Sequence, residues 1–219
     1  MFDCILLMAG SGKRTNLAYN KIKYEINNKA IFEYSLDLFL SIEEVNRVVL
    51  VVSLDEYNEF KKYESSKVKV TVGGKERQDS VLAGLKECSS EVVLIHDAAR
   101  PNINKEEVIN VYKETLLHNA SVLAVPSVNA IKEVDGDFVS KSLDRSTVWC
   151  MQTPQGVNRK LMIEALEKID YMIYDDIQAL ELIYGIKAKI VLGRQENIKV
   201  TNPTDLKLIE ILLGEKNEE

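Results

Sequence analysis

Cysteine and histidine are scarce in this sequence of 219 residues. The three cysteines, Cys4, Cys88 and Cys150, lie far apart and form no CxxC pair, which disfavours a zinc site and fits a reducing compartment. Only two histidines are present, His96 and His118, so mechanisms that combine several histidines as ligands or bases have few candidates. The composition therefore favours chemistry that depends on Lys, Arg and Asp.

An excess of positive charge is also lacking. Lys and Arg total 28 against 34 Asp and Glu, which gives a formal net charge of −6. This balance disfavours a nucleic-acid or membrane-surface protein with a broadly basic face, although it is compatible with a local basic pocket. The first residues carry no basic leader, and the longest apolar runs fall far short of the ~18 residues that a membrane span needs. We expect a cytoplasmic protein with no nucleic-acid and no membrane partner.

The chain alternates between two kinds of segment. Short β-branched runs predict buried strands at 4–8, 47–53, 67–72, 91–95, 121–125 and 187–192. Apolar residues at helical spacing predict helices at 30–40, 54–63, 79–88, 105–118, 160–169, 176–184 and 204–213. This alternation predicts an α/β fold with a mostly parallel sheet and helices on both faces. No repeat or linker interrupts it, so we expect a single domain over residues 1–219.

Residues 129–149 interrupt the alternation because they have no helical period. Two short β-like runs flank Asp135-Gly136, a dipeptide favoured in tight hairpin turns. We interpret this segment as a β-hairpin arm that projects from the sheet. Since an isolated hairpin is marginally stable in water, we expect the arm to pack against a second copy of the chain.

Glycines and charged residues follow the predicted strands. Gly10 and Gly12 come after the first strand, before Lys13 and Arg14, where backbone N–H groups and positive charge can approach an anion or the loop can simply turn the chain. The loop matches neither the phosphate-loop pattern of nucleotide hydrolases nor a dinucleotide fingerprint, because Thr15 takes the place of a third glycine. Lys21 is either a further cation or a solvated lysine.

Two more strands end in a similar way. Gly73-Gly74 leads to Ser80, which either contacts a ligand or caps a helix. Asp97 and Arg100 follow another strand directly, where open α/β sheets bind ligands. We favour a structural, hydrogen-bonded role for His96 over one as a general base. We interpret Trp149 as a packed aromatic residue beside a turn. Lys199 lies in a short β-like run, and considered alone it is interpreted as a surface lysine.

The ordered set of motifs is more specific than any member. It resembles the 2-C-methyl-D-erythritol 4-phosphate cytidylyltransferase family over essentially the whole chain. The segments that carry the resemblance are Ala9-Gly10-Ser11-Gly12-Lys13-Arg14, Asn20-Lys21, Gly73-Gly74-Lys75-Glu76-Arg77-Gln78-Asp79-Ser80-Val81, His96-Asp97-Ala98-Ala99-Arg100-Pro101, Asp144-Arg145, Trp149, Gln152-Thr153-Pro154-Gln155 and Asn197-Ile198-Lys199-Val200-Thr201.

The resemblance implies a nucleotide-binding fold like that of sugar-nucleotide transferases, a homodimer formed through the arm, and CTP, methylerythritol phosphate and Mg²⁺ as ligands. It implies that the triphosphate is bound by Gly10, Gly12, Lys13 and three catalytic cations, Arg14, Lys21 and Lys199. It implies that Ala9, Gly74, Lys75 and Ser80 contact the base and that Asp97 lies by the ribose and the metal. Arg145 and Thr153 match positions that bind the sugar phosphate across the dimer, and Arg100 matches one nearby.

Four residues at three places in the chain depart from the family pattern. Asn129-Ala130 stands where Asp-Thr is usual and Tyr174 where a Thr is usual, both on the acceptor side, and Asn20 replaces a proline before Lys21. Loss of two threonine hydroxyls removes possible contacts to the sugar phosphate of the acceptor, whereas the nucleotide motifs are unaffected. Two alternatives therefore stay open, a ribitol-5-phosphate cytidylyltransferase and a non-catalytic CTP-sensing module.

Overall fold

The computed structural model describes residues 1–10 and 19–215. Within these ranges the strands are β1 (Phe2–Leu7), β2 (Glu25–Ile26), β3 (Lys29–Ala30), β4 (Val45–Val52), β5 (Val68–Val72), β6 (Val92–Asp97), β7 (Ala120–Pro126), β8 (Lys132–Asp135), β9 (Phe138–Ser142), β10 (Trp149–Asn158) and β11 (Lys189–Leu192). The helices are α1 (Ile31–Leu40), α2 (Tyr57–Phe60), α3 (Arg77–Glu87), α4 (Lys105–His118), α5 (Arg159–Leu166), α6 (Gln178–Tyr184) and α7 (Pro203–Glu215). None of the described helices is both long and apolar enough to cross a membrane.

The described part of the chain forms a central sheet of seven strands in the order β11-β7-β10-β6-β1-β4-β5. Six of them run in the same direction, and β10 runs antiparallel between β6 and β7. The predicted mostly parallel α/β fold is therefore confirmed.

Helices cover both faces of this sheet because the central strands are apolar on both sides. In β1, Cys4 and Leu6 face the cluster that contains α1 and α4, whereas Ile5 faces the cluster that contains α3, α5 and α6. A third, smaller cluster joins α7 to the β2–β3 hairpin and to Val200. The sheet is thus held rigidly from both sides, and its strand ends have fixed positions.

The arm is also confirmed as a hairpin. β8 and β9 pair antiparallel, and Asp135 lies opposite Phe138. Gly136 in the intervening turn has φ of +57°, a left-handed conformation that glycine adopts without steric cost. Every residue of both strands is exposed in the single chain.

Two local predictions were wrong, and the helix predicted at 54–63 is only partly α-helical. The segment that begins at Trp149 is strand β10 rather than the end of the arm and a turn; Pro154 and a register shift between Met151 and Gln155 hide its pattern. Residues 54–63 are a short α-helix between two 3-10 turns, since Tyr57, Phe60 and Tyr63 recur every three residues. Lys199 lies in an irregular segment rather than a β-like run.

Candidate active site

A cavity of about 400 Å³ opens where β1, β5 and β6 end. Parallel strands place their carboxyl ends at one edge of the sheet, so the segments that follow them meet there. The described residues that line the cavity are Leu7, Met8, Ala9, Gly10, Asn20, Lys21, Ile22, Gly74, Lys75, Glu76, Arg77, Ser80, Asp97, Ala99 and Lys199. Four of these side chains are cationic and two are acidic. The cavity is suited to a small anion.

Eight of the predicted site residues meet in this cavity. They are Ala9, Gly10, Lys21, Gly74, Lys75, Ser80, Asp97 and Lys199. Three others, Gly12, Lys13 and Arg14, lie outside the described residues. Arg100, Thr153 and Arg145 do not line the cavity.

Asp97, the last residue of β6, is the electrostatic centre of the site. Its Oδ1 lies 2.6 Å from Arg77 Nη1, and its Oδ2 lies 2.8 Å from Lys199 Nζ. Burial by itself would raise the pKa of Asp97, but the charges of Arg77, Lys199 and Arg100 outweigh it and hold the pKa well below its usual range. The carboxylate is therefore ionised at every physiological pH.

Arg77 connects this carboxylate to a second one. Its Nε and Nη2 lie 3.2 and 2.7 Å from the two oxygens of Asp176, whose side chain is 2% exposed. Burial raises the pKa of Asp176, and Arg77 opposes that rise. Neither residue was among the predicted site residues, although Arg77 belongs to the Gly73–Val81 motif and begins a helix that follows a strand.

The loop between β5 and α3 depends on glycine. A Cβ at Gly73 would lie 2.6 Å from Ser80 Oγ, and one at Gly74 would collide with the side chain of Asp79. Ser80 Oγ accepts a hydrogen bond from the Gly74 N–H at 3.2 Å and donates one to the Glu76 carbonyl. The loop backbone is thus held close to the helix, with Gly74 and Lys75 facing the cavity.

Lys21 is placed by its neighbour Asn20. The Asn20 amide donates to the Met8 carbonyl at 2.9 Å and to Glu56 Oε2 at 3.0 Å, and its oxygen accepts the Ile22 N–H. These bonds tie the turn Lys21–Lys23 to the end of β1. Lys21 is 9% exposed and faces the cavity. Asn20 therefore orders this segment through hydrogen bonds.

A buried layer lies beneath Asp97. Thr153 Oγ1 accepts the Asp97 N–H at 3.0 Å and lies 3.0 Å from His96 Nδ1, while His96 Nε2 faces the Arg100 carbonyl at 3.1 Å. Since a carbonyl only accepts, Nε2 carries the proton and Nδ1 accepts from Thr153. Burial lowers the pKa of His96 to about 4. His96 is a structural histidine, as we favoured from the sequence.

Two other residues were predicted to bind the acceptor. Arg100 lies beside this layer, and Arg145 lies on the surface. Arg100 is largely buried, and its Nη1 donates to the Asn197 carbonyl at 2.7 Å. Arg145 is exposed beyond the arm, and its Nη1 donates a long hydrogen bond of 3.4 Å to the Val128 carbonyl. The departures at Asn129, Ala130 and Tyr174 are also exposed. Their roles toward an acceptor stay predictions.

Comparison with known proteins decides the family. Residues 3–215 match the family model described as IspD: 2-C-methyl-D-erythritol 4-phosphate cytidylyltransferase. The chain belongs to this family. Curated family members of that name from Clostridioides difficile and Geobacillus thermodenitrificans are 35% and 37% identical to it. These alignments cover 100% and 98% of this chain and 97% and 98% of the two relatives.

Solved structures agree with the family assignment. The 4-diphosphocytidyl-2C-methyl-D-erythritol synthase of Anaerococcus prevotii is 27% identical, with a TM-score of 0.86 over 98% of this chain and 96% of that one. The Francisella tularensis 2-C-methyl-D-erythritol 4-phosphate cytidylyltransferase is also 27% identical, with a TM-score of 0.82 over 96% and 98%. The chain therefore has the fold of this nucleotidyltransferase family across its length.

Proposed function

We propose that this protein transfers the cytidylyl group of CTP to 2-C-methyl-D-erythritol 4-phosphate and releases pyrophosphate, a step of isoprenoid precursor biosynthesis. The observation that carries the proposal is the meeting of Lys21, Asp97 and Lys199 in one cavity at the sheet edge of a chain from this family. The named relatives favour this acceptor over ribitol phosphate and favour an enzyme over a nucleotide sensor.

The reaction needs no protein base. A phosphate monoester is largely ionised at neutral pH, so one of its oxygens attacks the α-phosphorus of CTP directly. A P–O bond forms, the bond to the β-phosphate oxygen breaks, and pyrophosphate leaves with the electron pair. The burial of His96 away from the cavity fits this scheme, since no histidine among the described residues lines the cavity.

Charge stabilisation is then the main task of the protein. Negative charge grows on the α-phosphoryl oxygens and on the departing pyrophosphate, and preorganised cations lower the barrier most. Lys21 and Lys199 supply such cations from opposite ends of the sequence. We expect Arg14 to supply a third.

Mg²⁺ fits the donors that are present. The described residues hold no group of three or more His, Cys, Asp and Glu side chains suited to a metal. Mg²⁺, however, usually binds through one or two carboxylates together with substrate phosphates and water, and Asp97 is an ionised carboxylate at the cavity. We propose Asp97 as its protein ligand, where the ion would neutralise phosphate charge.

We further propose that the protein acts as a homodimer through its arm. Val134, Phe138 and Val139 are 67%, 81% and 63% exposed in the single chain, a cost that pairing with a second copy removes. Arg145 follows the arm and would then reach the partner's site with the acceptor phosphate, as the resemblance implies. Arg100 and Thr153 would contribute to binding the acceptor at the same end of the site.

A parallel assay of acceptors tests the function. Purified protein with CTP and Mg²⁺ is incubated with methylerythritol phosphate or ribitol 5-phosphate, and both pyrophosphate and the CMP adduct are measured. We expect turnover of methylerythritol phosphate, and turnover lower on the order of 10²-fold or more with Lys199→Ala at equal concentration. Turnover of ribitol phosphate alone, or CTP binding without any pyrophosphate release, would contradict the proposal.

A further inference from the structure

The segment that presents Lys199 has no regular secondary structure. Residues 193–200 run from the end of β11 to Val200, whose N–H donates to the Ala99 carbonyl at 2.9 Å. A loop without ladder or helix bonds needs other bonds to hold one position. The side chains that supply them come from α4, from β10 and from the segment after β6.

Polar side chains hold three backbone carbonyls of this segment. The Arg194 carbonyl accepts from Gln152 Nε2 at 2.9 Å, the Glu196 carbonyl from Asn102 Nδ2 at 3.1 Å, and the Asn197 carbonyl from Arg100 Nη1. Asn197 is fully buried, and its amide donates to Gln152 Oε1 and to the Thr153 carbonyl. The middle of the segment is therefore fixed to the layer beneath Asp97.

A partly buried ion pair anchors the start of the segment. Arg194 Nε lies 3.1 Å from Glu107 Oε1, Arg194 Nη2 lies 3.2 Å from Glu107 Oε2, and Nη2 also donates to the Asn102 carbonyl at 2.6 Å. The Glu107 side chain is 7% exposed and that of Arg194 is 34% exposed. A buried carboxylate without its partner is costly, so the pair strongly favours a single position for Arg194.

Glu107 sits on a rigid element. It is the third residue of α4, and its Oε2 also accepts the Asn104 N–H at 3.2 Å, while its own N–H donates to Asn104 Oδ1 at 2.9 Å. One carboxylate thus caps the helix and holds the loop. The ion pair therefore fixes the loop relative to α4, which packs on β7 and β10 in the core.

We propose that Glu107 is a positioning residue that acts through Arg194 to set the place of the Lys199 ammonium group. The inference rests on the proposed function, which makes Lys199 a cation for the triphosphate. Lys199 must stay close to the phosphate oxygens as charge develops, and small displacements of a positioned group reduce turnover strongly. Glu107 does not line the cavity, so we expect its effect on turnover to pass through Lys199.

The test compares Glu107→Gln with Glu106→Gln. Glutamine keeps the shape of Glu107 and an oxygen for the Asn104 N–H but loses the ion pair, whereas Glu106 is an exposed neighbour on the same turn. We expect kcat to fall on the order of tenfold in Glu107→Gln and to stay unchanged in Glu106→Gln. Amide hydrogen exchange over residues 193–200 should become faster in Glu107→Gln only.

The decisive measurement repeats Glu107→Gln in a Lys199→Ala background. A residue that acts through Lys199 causes no further loss of kcat there, whereas general damage to the fold causes the same loss in both backgrounds. The same fold-loss in both backgrounds, or unchanged exchange in residues 193–200, would overturn the proposal. Arg194→Lys, which keeps the charge but not the two-pronged geometry, gives the same test if Glu107→Gln fails to fold.

The two proposals fail in different ways. Wild-type turnover by Lys199→Ala would refute the role of Lys199 in the proposed function. A strongly reduced kcat in Lys199→Ala, together with normal kcat and normal exchange in Glu107→Gln, would refute only the positioning role of Glu107.

Discussion

Arg77 and Asp176 form a two-pronged ion pair between residues 99 positions apart in the sequence. Arg77 Nη1 also donates a hydrogen bond to a second carboxylate, that of Asp97. A chain of two acids and one arginine therefore joins the segment before α6 to the floor of the cavity. The orientation of Asp97 depends in part on a residue outside the cavity.

The first prediction concerns Asp176→Asn. Asparagine keeps the shape but removes the charge that balances Arg77. We expect the free energy of unfolding, measured in urea, to fall by about 1–3 kcal/mol. This is less than the loss for a fully buried pair, because Arg77 keeps its ion pair with Asp97 and is partly exposed to solvent. The control is Asp170→Asn, an exposed acid in the same loop. Equal stability of the two variants would contradict a structural role for the pair.

The second prediction concerns Lys199→Ala. Removal of one preorganised cation should lower kcat on the order of 10²-fold or more, while the melting temperature changes little because the side chain is 38% exposed. Lys207→Ala, on an exposed turn of α7, is the control and should have normal kcat. Steady-state pyrophosphate release measures both. Near-normal turnover of Lys199→Ala would overturn its assigned role.

Lys21→Ala is the third prediction, and the loss of kcat should again be on the order of 10²-fold or more. Lys21 is much less exposed than Lys199, so its loss can also affect stability. The melting temperature of the Lys21→Ala variant is therefore measured together with its kcat. Lys61→Ala, an exposed lysine, is the matched control. A folded Lys21→Ala enzyme that works at the rate of its control would remove Lys21 from the catalytic set.

The fourth prediction is a dependence of stability on pH. The pKa of His96 is about 4 in the fold and near 6.5 when unfolded, so the unfolded chain binds more protons between these values. The stability that neutral His96 contributes is present above pH 6.5 and is lost as the pH falls toward 4, by up to about 3 kcal/mol at 1.36 kcal/mol per unit.

Urea unfolding at several pH values measures this loss. The variant His96→Asn should be less stable at neutral pH and should show a shallower decline between pH 6.5 and 4. His118→Gln, which removes the exposed histidine of α4, should decline as the unmodified protein does. Identical slopes for His96→Asn and the unmodified protein would show that His96 is not the group responsible.

The last prediction concerns the arm. Phe138→Asp places a charge on the most exposed of its large apolar side chains, and we expect the mass in solution to drop from that of a dimer to that of a monomer. Light scattering after size exclusion measures it. Asp137→Asn, in the turn of the same hairpin, should leave the dimer intact. A Phe138→Asp protein that remains dimeric would place the interface elsewhere.

The local features of the site could be predicted from the sequence. Short β-branched runs and helical periods depend on neighbouring residues, so they located most of the sheet and its helices. The resemblance carried by the ordered motifs implied eight of the cavity residues, from Ala9 to Lys199. The hairpin arm was equally local, because a dipeptide with a left-handed glycine determines the turn. The order of motifs along the chain was enough to identify the family.

Only the tertiary structure decided which distant side chains meet. It placed β10 antiparallel between two parallel strands, gave Arg77 the second carboxylate of Asp176, and paired Glu107 with Arg194 across 87 positions. No local pattern contains these contacts, because they depend on how β6, α3, α4 and β11 are stacked. The sequence by itself determined which charged groups reach the sheet edge, and the packing of the sheet and its helices decided which buried partners hold them there.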